Sequence, residues 1–588
     1  MTRLRYVSII LSVTLLICML ATACGKITDT GAADTQDINT DSRSGNNAVT
    51  AAASATATFI NTSDIFSNRD LSGEYDESKC EKITLSNTGA TSDSKGVLID
   101  GSTVTILKEG DYILSGTLSD GMIIVDVDKT EKVQLVLNGV NINSSDSAAI
   151  YVKKADKVFV TLADGTVNTL SNGGGFTAID ENNIDAVIFS KDDLTLNGTG
   201  SLTIISPAGH GVVSKDDLVI TNGSYDITAS SHGLSGKDSV AIADGKFNIE
   251  AGEDAIHSAN DDDDTAGNVY IGGGTYTFRV ESDGISAINE INIAGGSISI
   301  DKSYEGIEGR SINISGGRVD ITSSDDGLNA TDKRGTTDNN TGGNSRDFRD
   351  GMMNDIQSDA NINISGGIVN INAEGDGIDS NGYITVSGGE IYVTGPSNGG
   401  NGALDYGIDA VVSGGIIVAA GQSNMAQNFG NGSTQGSILV NTQKQNAAGS
   451  DITLFDSDGN TLVAWTMEKS YNSVVISCPE IEAGESYTLI TGETTTEITM
   501  DKLIYGDGFG FGGHGGHGEF GDHYVPDVPD CFGDRGNFDR YDDENDMRNN
   551  GFGNGERPEG MEEPPEFDGG EMPEGMEEPP DFENGKKP

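Results

Sequence analysis

Residues 283–309 read DGISAINEINIAGGSISIDKSYEGIEG, and this stretch determines the fold prediction. It begins with an acidic residue, a glycine and an isoleucine, and the same triplet, here called a corner, returns at 305–307, twenty-two residues later. Strict or variant corners also lie at 210–212, 232–234, 254–256, 326–328 and 376–378. From Gly211 onward, their middle residues are separated by 22, 22, 29, 22, 21 and 50 residues, so the chain contains an internal repeat.

Short alternating segments connect the corners. Aliphatic residues recur in register: Ile291, Ile293, Ile298 and Ile300, then Ile312, Ile314, Val319 and Ile321, then Ile362, Ile364, Val369 and Ile371. A period of two predicts strands with one buried face. Glycine pairs between these strands (295–296, 316–317, 366–367 and 388–389) indicate sharp turns, because glycine tolerates positive φ.

Three short strands in about 22 residues cannot form a core alone, but they can form one coil of a solenoid. We therefore predict an all-β fold, a right-handed parallel β-helix whose coils stack about 4.8 Å apart. Looser corners are identified at 96–97, 121–122, 149–150, 178–179 and 407–408. Counting them gives roughly twelve coils.

Two other β folds share some features of this pattern. A β-sandwich also uses short alternating strands, but it does not explain side chains in register every 21 or 22 residues. A β-roll of the RTX type repeats glycine and aspartate every nine residues, which this sequence does not do. The parallel β-helix accounts for the pattern better than either.

The domain prediction follows from composition. Residues 61–420 form the predicted β-helix, interrupted by an acidic insertion at 260–267 and by a disordered insertion at 331–359. Residues 421–505 still contain strand patterns and are predicted to cap the last coil. Residues 506–588 are rich in Gly, Pro, Asp and Glu, with PEGMEEPPEF echoed by PEGMEEPPDF, and are predicted to be a disordered tail.

The amino terminus resembles a lipoprotein signal. Arg3 and Arg5 precede a long apolar run, and small residues lead to Cys24, the predicted lipidation site after cleavage of residues 1–23. Residues 24–60 are polar and small, as in a flexible tether. We expect a lipid-anchored protein on the extracellular face of the cell membrane; a plain secretory signal, or an uncleaved anchor, is the alternative.

The charge balance limits the partners. The chain has 588 residues, 92 Asp and Glu against 35 Lys and Arg, and a formal net charge of -57. Nucleic acid is therefore excluded as an expected ligand, because two polyanions repel each other unless a cation stands between them. Cys80, Cys478 and Cys531 are too scattered for a disulfide framework or a zinc site.

Stacked coils would align the corner acids into a ladder. Neighbouring carboxylates about 5 Å apart repel by roughly 1 kcal/mol even in water. Hydrated sodium would offset this without further consequence, whereas calcium prefers several hard oxygen ligands with flexible geometry. The predicted calcium ligands are the ladder and neighbouring acids: Glu253, Asp254, Asp262, Asp263, Asp283, Glu305, Glu308, Asp325, Asp326, Asp376 and Asp379.

Catalytic signals are weak. The six histidines lie at corners or in the Gly-rich tail, and a Ser-His-Asp assignment would be arbitrary. Lys191, Lys215 and Lys237 recur once per coil; they either neutralise nearby aspartates or contact an anionic sugar, where one would serve as the base of a β-elimination. The single Trp465 argues against a flat aromatic platform, and Tyr270, Tyr276 and Phe278 are either a sugar-stacking patch or core.

An ordered series of motifs carries a family resemblance. The motifs are DLSGEYDESKCEKITL, DGSTVTILKEGDYILSGTLSDGMIIVDVD, AAIYVKKADKVFVTLADGTVNTLS, EDAIHSANDDDD, DGISA, DDGLNA and DGIDSNG. Over roughly residues 60–500 the chain resembles the bacterial carbohydrate-binding domain family, whose characterised type is a calcium-containing right-handed parallel β-helix that binds acidic polysaccharide such as polygalacturonate. The family also looks like certain pectate lyases in architecture. By resemblance, Asp283, Asp326 and Asp376 match its Asp-Gly corners, while Ala255, Glu305 and Tyr406 depart from them.

The resemblance implies a non-catalytic surface protein that binds acidic, pectin-like polysaccharide through calcium. A calcium-dependent polysaccharide lyase acting on uronate polymers by β-elimination is the alternative. A third reading is a structural surface protein in which calcium only stabilises the fold.

Overall fold

The computed structural model describes residues 62–335 and 356–506. Residues 1–23, Cys24, the tether at 24–60, the middle of the second insertion and the tail after residue 506 lie outside the described residues. The predictions made for those segments therefore stay predictions. Within the described ranges, no helix is both long enough and apolar enough to cross a membrane.

The chain winds into a parallel β-solenoid of about 12 turns, as the sequence repeat predicted. Each turn contributes strands to three sheets, and each strand pairs in parallel with the equivalent strand of the next turn. Several long strands bend at a corner and contribute to two sheets. The three sheets enclose one continuous apolar interior.

Sheet 1 contains Glu81–Ser86, Gly110–Leu118, Lys132–Ser144, Lys157–Leu162, Asp193–Gly198, Asp217–Ile220, Ser239–Ile242, Asn268–Ile271, Ile285–Ile293, Ile307–Ile314, Asn361–Ile364, Tyr383–Thr394 and Asp409–Gly421. Sheet 2 adds Val167–Asn172, Ser201–Ser206, Ser224–Ala229, Lys246–Ala251, Thr275–Val280, Ser297–Ser303, Arg318–Ser323 and Ile368–Ala373, and shares the long strands at both ends. Sheet 3 contains Thr103–Ile106, Met122–Asp126, Ile150–Lys154, Ala186–Ser190, His210–Ser214, Leu234–Gly236, Ile256–Ser258, Leu328–Ala330, Ile378–Ser380 and Leu404–Tyr406, and shares Ile285–Ile293 and Ile307–Ile314.

The aliphatic register predicted from the sequence is confirmed. In sheet 2, Ile298 pairs with Val319, and Val319 pairs with Val369 in the next coil. In sheet 1, Ile291 pairs with Ile312. These side chains are fully buried, so each coil continues the interior of its neighbours.

Corner glycines are required by packing space, not by φ. A Cβ on Gly306 would lie 2.3 Å from the carbonyl oxygen of Gly327 and 2.5 Å from Ile321 Cγ2. The second glycine of each pair between strands does take positive φ, for example 91° at Gly296 and 81° at Gly317. The turn prediction for those pairs is therefore confirmed.

Four of the looser corners were placed wrongly. Met122, not Gly121, precedes the Ile123 that stacks on Ile150. Val187, not Ala178, precedes the Ile188 that stacks on Val212. Ala403, not Gly407, precedes the Leu404 that stacks on Ile378. Gly96 leads into Val97–Asp100, which forms an antiparallel hairpin with Thr103–Ile106 instead of a coil.

Both insertions occupy the same place in the coil, between a strand of sheet 3 and the following strand of sheet 1. The first separates Ile256–Ser258 from Asn268–Ile271. The second leaves Leu328–Ala330 through a short 3-10 helix, Lys333–Gly335, and returns at Asn361–Ile364. Arg334 donates to the carbonyl oxygens of Asp264 (2.8 Å) and Ala266 (3.0 Å), so the described start of the second insertion contacts the first.

Additional elements cover the two ends and one side. Gly89–Thr91 pairs antiparallel with Glu81–Ser86 at the amino-terminal end. Two short helices, Thr62–Ile65 and Asn68–Ser72, lie before it, and the buried Asp70 of the second accepts a hydrogen bond from Thr195 (2.6 Å) and pairs with Lys157 (2.9 Å) in sheet 1.

The predicted carboxy-terminal cap consists mainly of antiparallel strands. Tyr471–Ser477 pairs antiparallel with the last long strand, Asp409–Gly421, and Ser437–Asn446 pairs with Tyr471–Ser477. The remaining elements are Ser423–Met425 (a 3-10 helix), Ile504–Tyr505, and the separate four-stranded sheet formed by Asp451–Phe455, Thr461–Thr466, Ser486–Thr491 and Thr494–Thr499. Because strand direction reverses here, the parallel stack ends at the cap.

Candidate functional site

A column of polar corner residues follows the solenoid beside sheet 3. We call it the corner column; its members are His210, His232, Asp254, Asp283, Glu305, Asp326 and Asp376. In most steps the side chain accepts a hydrogen bond from the backbone N–H of the next corner. Asp254 Oδ1 accepts from Asp283 (2.9 Å), Asp283 Oδ1 from Glu305 (3.3 Å), and Asp326 Oδ1 from Asp376 (2.6 Å). The ladder predicted from the sequence is present, and it also satisfies backbone donors between coils.

The column begins with histidines in the same role. His210 Nδ1 accepts the N–H of His232, and His232 Nδ1 accepts the N–H of Asp254, both at 3.1 Å. A nitrogen that accepts a hydrogen bond carries no proton, so each neutral ring carries its proton on Nε2. His232 Nε2 lies 3.2 Å from a carboxylate oxygen of Glu253.

A second column runs alongside, on the outward positions of the sheet 3 strands. We call it the strand column; the cross-coil register aligns Ser235, His257, Ser286, Glu308, Asn329, Asp379 and Asp405. Each member lies three residues after the first residue of a corner triplet. Corner and strand columns together form a strip of polar groups along the solenoid.

The first carboxylate group joins both columns. Oxygens of Asp283, Glu305 and Glu308 lie within 4.8 Å of one another, and all three residues are almost fully buried. Burial, followed by the charges of the neighbouring carboxylates, raises the pKa of both Asp283 and Glu305. Three like groups at this distance and depth require a proton or a cation to offset their repulsion.

One counter-charge comes from the second insertion. The Lys333 ammonium contacts the Glu308 carboxylate. Burial alone would lower the pKa of Lys333, but the charge and hydrogen bond of Glu308, with the charges of Asp283 and Glu305, raise it. Lys333 is thus held in its protonated form beside the first carboxylate group.

Asn329 contacts the first carboxylate group through its amide nitrogen. Its Nδ2 donates to both oxygens of Glu305 (3.2 and 3.1 Å). Its Oδ1 is buried and lacks a hydrogen-bond partner within the part of the chain that the structure describes. Carboxylate oxygens are ligands that calcium prefers, so the three acids of this group fit a hard divalent cation.

The second carboxylate group lies further along the strip. Asp326, Asp376 and Asp379 have oxygens within 4.8 Å of one another. Burial is the main cause that raises the pKa of Asp376 to about 8 and that of Asp326 to about 6. Asp376 Oδ1 also accepts the N–H of Gly402 at 2.5 Å, which continues the corner column into the next coil.

Asp254 has a different environment. His257 Nδ1 lies 2.8 Å and His232 Nδ1 3.2 Å from Asp254 Oδ2. Burial raises the pKa of Asp254, but the hydrogen bond with His257 and the proximity of the two imidazole rings outweigh burial and hold that pKa well below its usual value. Asp254 therefore stays ionised with hydrogen-bonding partners, whereas the first carboxylate group has an excess of negative charge.

The other predicted ligands do not join either group among the described residues. Asp262 is exposed and pairs with Lys237 at 2.8 Å. Asp263 Oδ1 accepts from Thr265 in its own turn (2.8 and 2.7 Å). Glu253 contacts His232, as described above, and Asp325 lies beside the carboxylate groups without entering them.

The three predicted sugar-contacting lysines also lie apart from the carboxylate groups. Lys215 is 3.6 Å from Asp185, and Lys237 is paired with Asp262. Lys191 follows the strand Ala186–Ser190 of sheet 3, several coils before the first carboxylate group. The lysine that does contact a carboxylate group is Lys333, which sequence reasoning missed because it lies in an insertion without a repeat.

The structure decides between the two predicted roles of Tyr270, Tyr276 and Phe278, which were a sugar-stacking patch and packing inside the protein. Tyr276 and Phe278 are buried in the solenoid interior, where Tyr276 stacks on Phe247 with ring centroids 4.8 Å apart. Tyr270 packs on Phe66 at 5.9 Å. These three residues do not form a sugar-stacking patch.

Part of the chain is similar to proteins described as carbohydrate-binding. Residues 100–351 match the family model described as "Carbohydrate-binding domain-containing protein". A curated relative from Acetivibrio thermocellus with that same description is 39% identical over 151 residues, which are 25% of this chain and 53% of the relative. The chain therefore spans about half the length of this relative. The matched residues 100–351 include the whole first carboxylate group.

A similar protein has also been solved. It is described as the polysaccharide lyase-like protein from C. thermocellum, gadolinium derivative, and is 36% identical to this chain. The similarity covers 39% of this chain and 93% of that protein, with a TM-score of 0.38.

Proposed function

We propose that this protein is a non-catalytic, cell-surface protein that binds acidic, pectin-like polysaccharide through calcium held by the polar strip of sheet 3. The observation that carries the proposal is the first carboxylate group, in which buried oxygens of Asp283, Glu305 and Glu308 lie within 4.8 Å of one another. The match of residues 100–351 to a carbohydrate-binding family supports the choice of a glycan as partner.

Charge explains why a cation is needed. The chain carries a formal net charge of -57, so a uronate polymer is repelled by the protein surface. Calcium would supply positive charge and open coordination positions that sugar carboxylates can fill. Asp283, Glu305 and Glu308 would hold one ion, and Asp326, Asp376 and Asp379 a second.

Calorimetry with polygalacturonate tests the proposal. Binding is expected in millimolar calcium and is expected to disappear when EDTA removes the metal. The variant Glu308→Gln removes one carboxylate of the first group and should weaken calcium-dependent binding, whereas Glu250→Gln, an exposed acid on sheet 2, is the matched control. Equal binding of polygalacturonate in calcium and in EDTA would disprove calcium bridging.

The lyase alternative requires a neutral basic group beside the metal. Lys333 is the lysine that contacts the first carboxylate group, and its raised pKa keeps it protonated, which makes it a poor proton acceptor. We therefore favour binding over cleavage. Appearance of ultraviolet absorbance from unsaturated uronate products during long incubation with polygalacturonate and calcium would overturn this choice.

Surface anchoring through Cys24 is part of the same proposal. Labelling of the wild-type protein with a fatty-acid analogue, and loss of the label in Cys24→Ser, is the expected result. Release of an unlabelled wild-type protein into the medium would instead indicate secretion.

A further inference from the structure

A groove lies between the outer face of sheet 2 and the cap, on a different sheet from the polar strip. It has a volume of about 360 Å³. Its main polar and aromatic lining residues are Asp320, Asn370, Asn372, Tyr392, Trp465 and Glu468. This is room for a small part of a polymer chain, within the size range of ligand sites.

Register between coils builds one side of the groove. Asp320 pairs with Asn370, and Asn370 pairs with Tyr392, at positions that alternate with buried aliphatic residues. These three side chains therefore point outward in a row along the solenoid axis. A polymer lying along this row would meet an acid, an amide and an aromatic ring in succession.

The cap builds the other side. Trp465, from the strand Thr461–Thr466, packs beside Tyr392 with ring centroids 5.9 Å apart and an interplanar angle of 41°. Neither ring is fully buried. Glu468 accepts from Asn372 (3.1 Å) and Lys469 donates to the Ala373 carbonyl (2.6 Å), so the cap is fixed against the solenoid next to the groove.

Acidic residues outnumber basic ones in the lining of the groove. Arg318 forms two hydrogen bonds of 2.7 Å with the carboxylate of Asp320, and Asn370 donates to the same carboxylate at 2.6 Å. Asp301 is paired with Arg279. With Glu468 added, the groove has no surplus of positive charge among the lining residues that the structure describes, so it suits a hydroxyl-rich neutral ligand better than a uronate.

We propose that this groove binds a neutral oligosaccharide, with a sugar ring against Trp465 and Tyr392 and hydroxyl groups on Asp320, Asn370 and Glu468. Aromatic faces pack against the C–H faces of pyranose rings, while the fixed Arg318–Asp320–Asn370 network retains acceptors and donors for hydroxyl groups. The interaction goes beyond the calcium-dependent binding of acidic polymer, because it uses a different sheet and no metal.

Trp465 allows a direct test, because it is the single tryptophan of the chain. The full-length protein in EDTA is titrated with neutral β-1,4-linked tetrasaccharides of glucose, xylose and galactose while tryptophan emission is recorded. The expected result is a saturable change with at least one of them. Absence of any change with all three would overturn the proposal.

Variants then locate the site by calorimetry with the active tetrasaccharide. Asn370→Ala keeps Trp465 and should reduce affinity about tenfold or more, and Trp465→Leu should reduce it at least as much. Tyr383→Ala, an exposed aromatic residue outside the groove, is the matched control, and melting curves verify that each variant is folded. Unchanged affinity in folded Asn370→Ala would contradict the assignment.

Two further outcomes separate this site from the calcium-dependent one. Asn370→Ala should bind polygalacturonate in calcium as the wild type does. If polygalacturonate with calcium changes Trp465 emission and the neutral tetrasaccharides do not, the groove serves the acidic polymer and the neutral-sugar proposal is wrong.

Discussion

The ammonium of Lys333 contacts the carboxylate of Glu308, which lies 25 residues earlier in the chain and one coil away. Lys333 comes from the second insertion, whereas Glu308 comes from the strand column of the solenoid. The protein therefore brings its own cation to the place where we propose that calcium binds. Lysine and calcium then compete for the same oxygens.

Removal of this lysine is predicted to strengthen calcium binding. In Lys333→Met the first carboxylate group loses its internal counter-charge, so calcium affinity measured by calorimetry should rise about tenfold. The matched control is Lys302→Met, because Lys302 pairs with the exposed Glu281 on another sheet. Unchanged or weaker calcium affinity in Lys333→Met would show that the lysine does not compete.

Replacement of the paired corner acids should have the opposite effect. The double variant Asp283→Asn with Glu305→Gln removes two of three carboxylates, and its calcium affinity is expected to fall about a hundredfold or more. Circular dichroism should still show the β fold, because the aliphatic stack is untouched. The exposed Asp100→Asn is the control. Retention of wild-type calcium affinity in the double variant would show that Asp283 and Glu305 are solvated acids that do not bind calcium.

The metal-free protein is predicted to lose stability as pH rises. Asp376 has a pKa of about 8 and Asp326 of about 6 in the folded state, against an ordinary value of 3.8. Between about pH 4 and about pH 8, the folded state therefore binds more protons than the unfolded state. The free energy of unfolding falls as the pH increases through this range. Melting temperatures of metal-free protein at pH 5 and pH 8 measure the effect.

Two comparisons identify the source of that pH dependence. Asp376→Asn should flatten the profile, mainly between pH 6 and 8, because it removes the group with the higher pKa. Added calcium should reduce the difference between pH 5 and pH 8, since the ion stabilises the ionised form. If Asp376→Asn keeps the wild-type dependence of melting temperature on pH, groups other than Asp376 cause that dependence.

Corner glycines are predicted to be intolerant of a methyl group. In Gly306→Ala the new Cβ would overlap the Gly327 carbonyl oxygen and Ile321 Cγ2, and the free energy of unfolding should fall by about 2–3 kcal/mol in a chemical denaturation experiment. Gly175→Ala is the matched control, because a Cβ there meets nothing within 4 Å. Equal stability of the two variants would contradict the packing argument.

Much of the fold follows from the sequence because a solenoid repeats its constraints. The period of about 22 residues aligned Ile298, Val319 and Val369 correctly without any coordinates. The pattern failed at the corners that contain Val187 and Ala403, because these triplets lack the acid at the first position as well as the glycine at the second. The alternation of apolar and polar residues still predicts strands in these coils. The position of the corner is given only by the pairing of strands in neighbouring coils.

The candidate site was predictable only in part. Corner acids were found because they belong to the repeat, but the strand column depends on register, which aligns Glu308 with Asn329 and Asp379. The contact of Lys333 with Glu308 and the pairing of Tyr392 with Trp465 arise from an insertion and from the cap. Neither segment carries the period, so the sequence offered no signal for these contacts.

The polar strip draws one side chain from each coil per column, and this has a consequence for how binding strength can change. Residues that are neighbours in space are about one repeat apart in sequence, so duplication of a single coil would lengthen the strip by one step without rebuilding a pocket. A long polymer lying along the solenoid would engage several such steps at once. Avidity would then grow with the number of coils, even where each individual contact is weak.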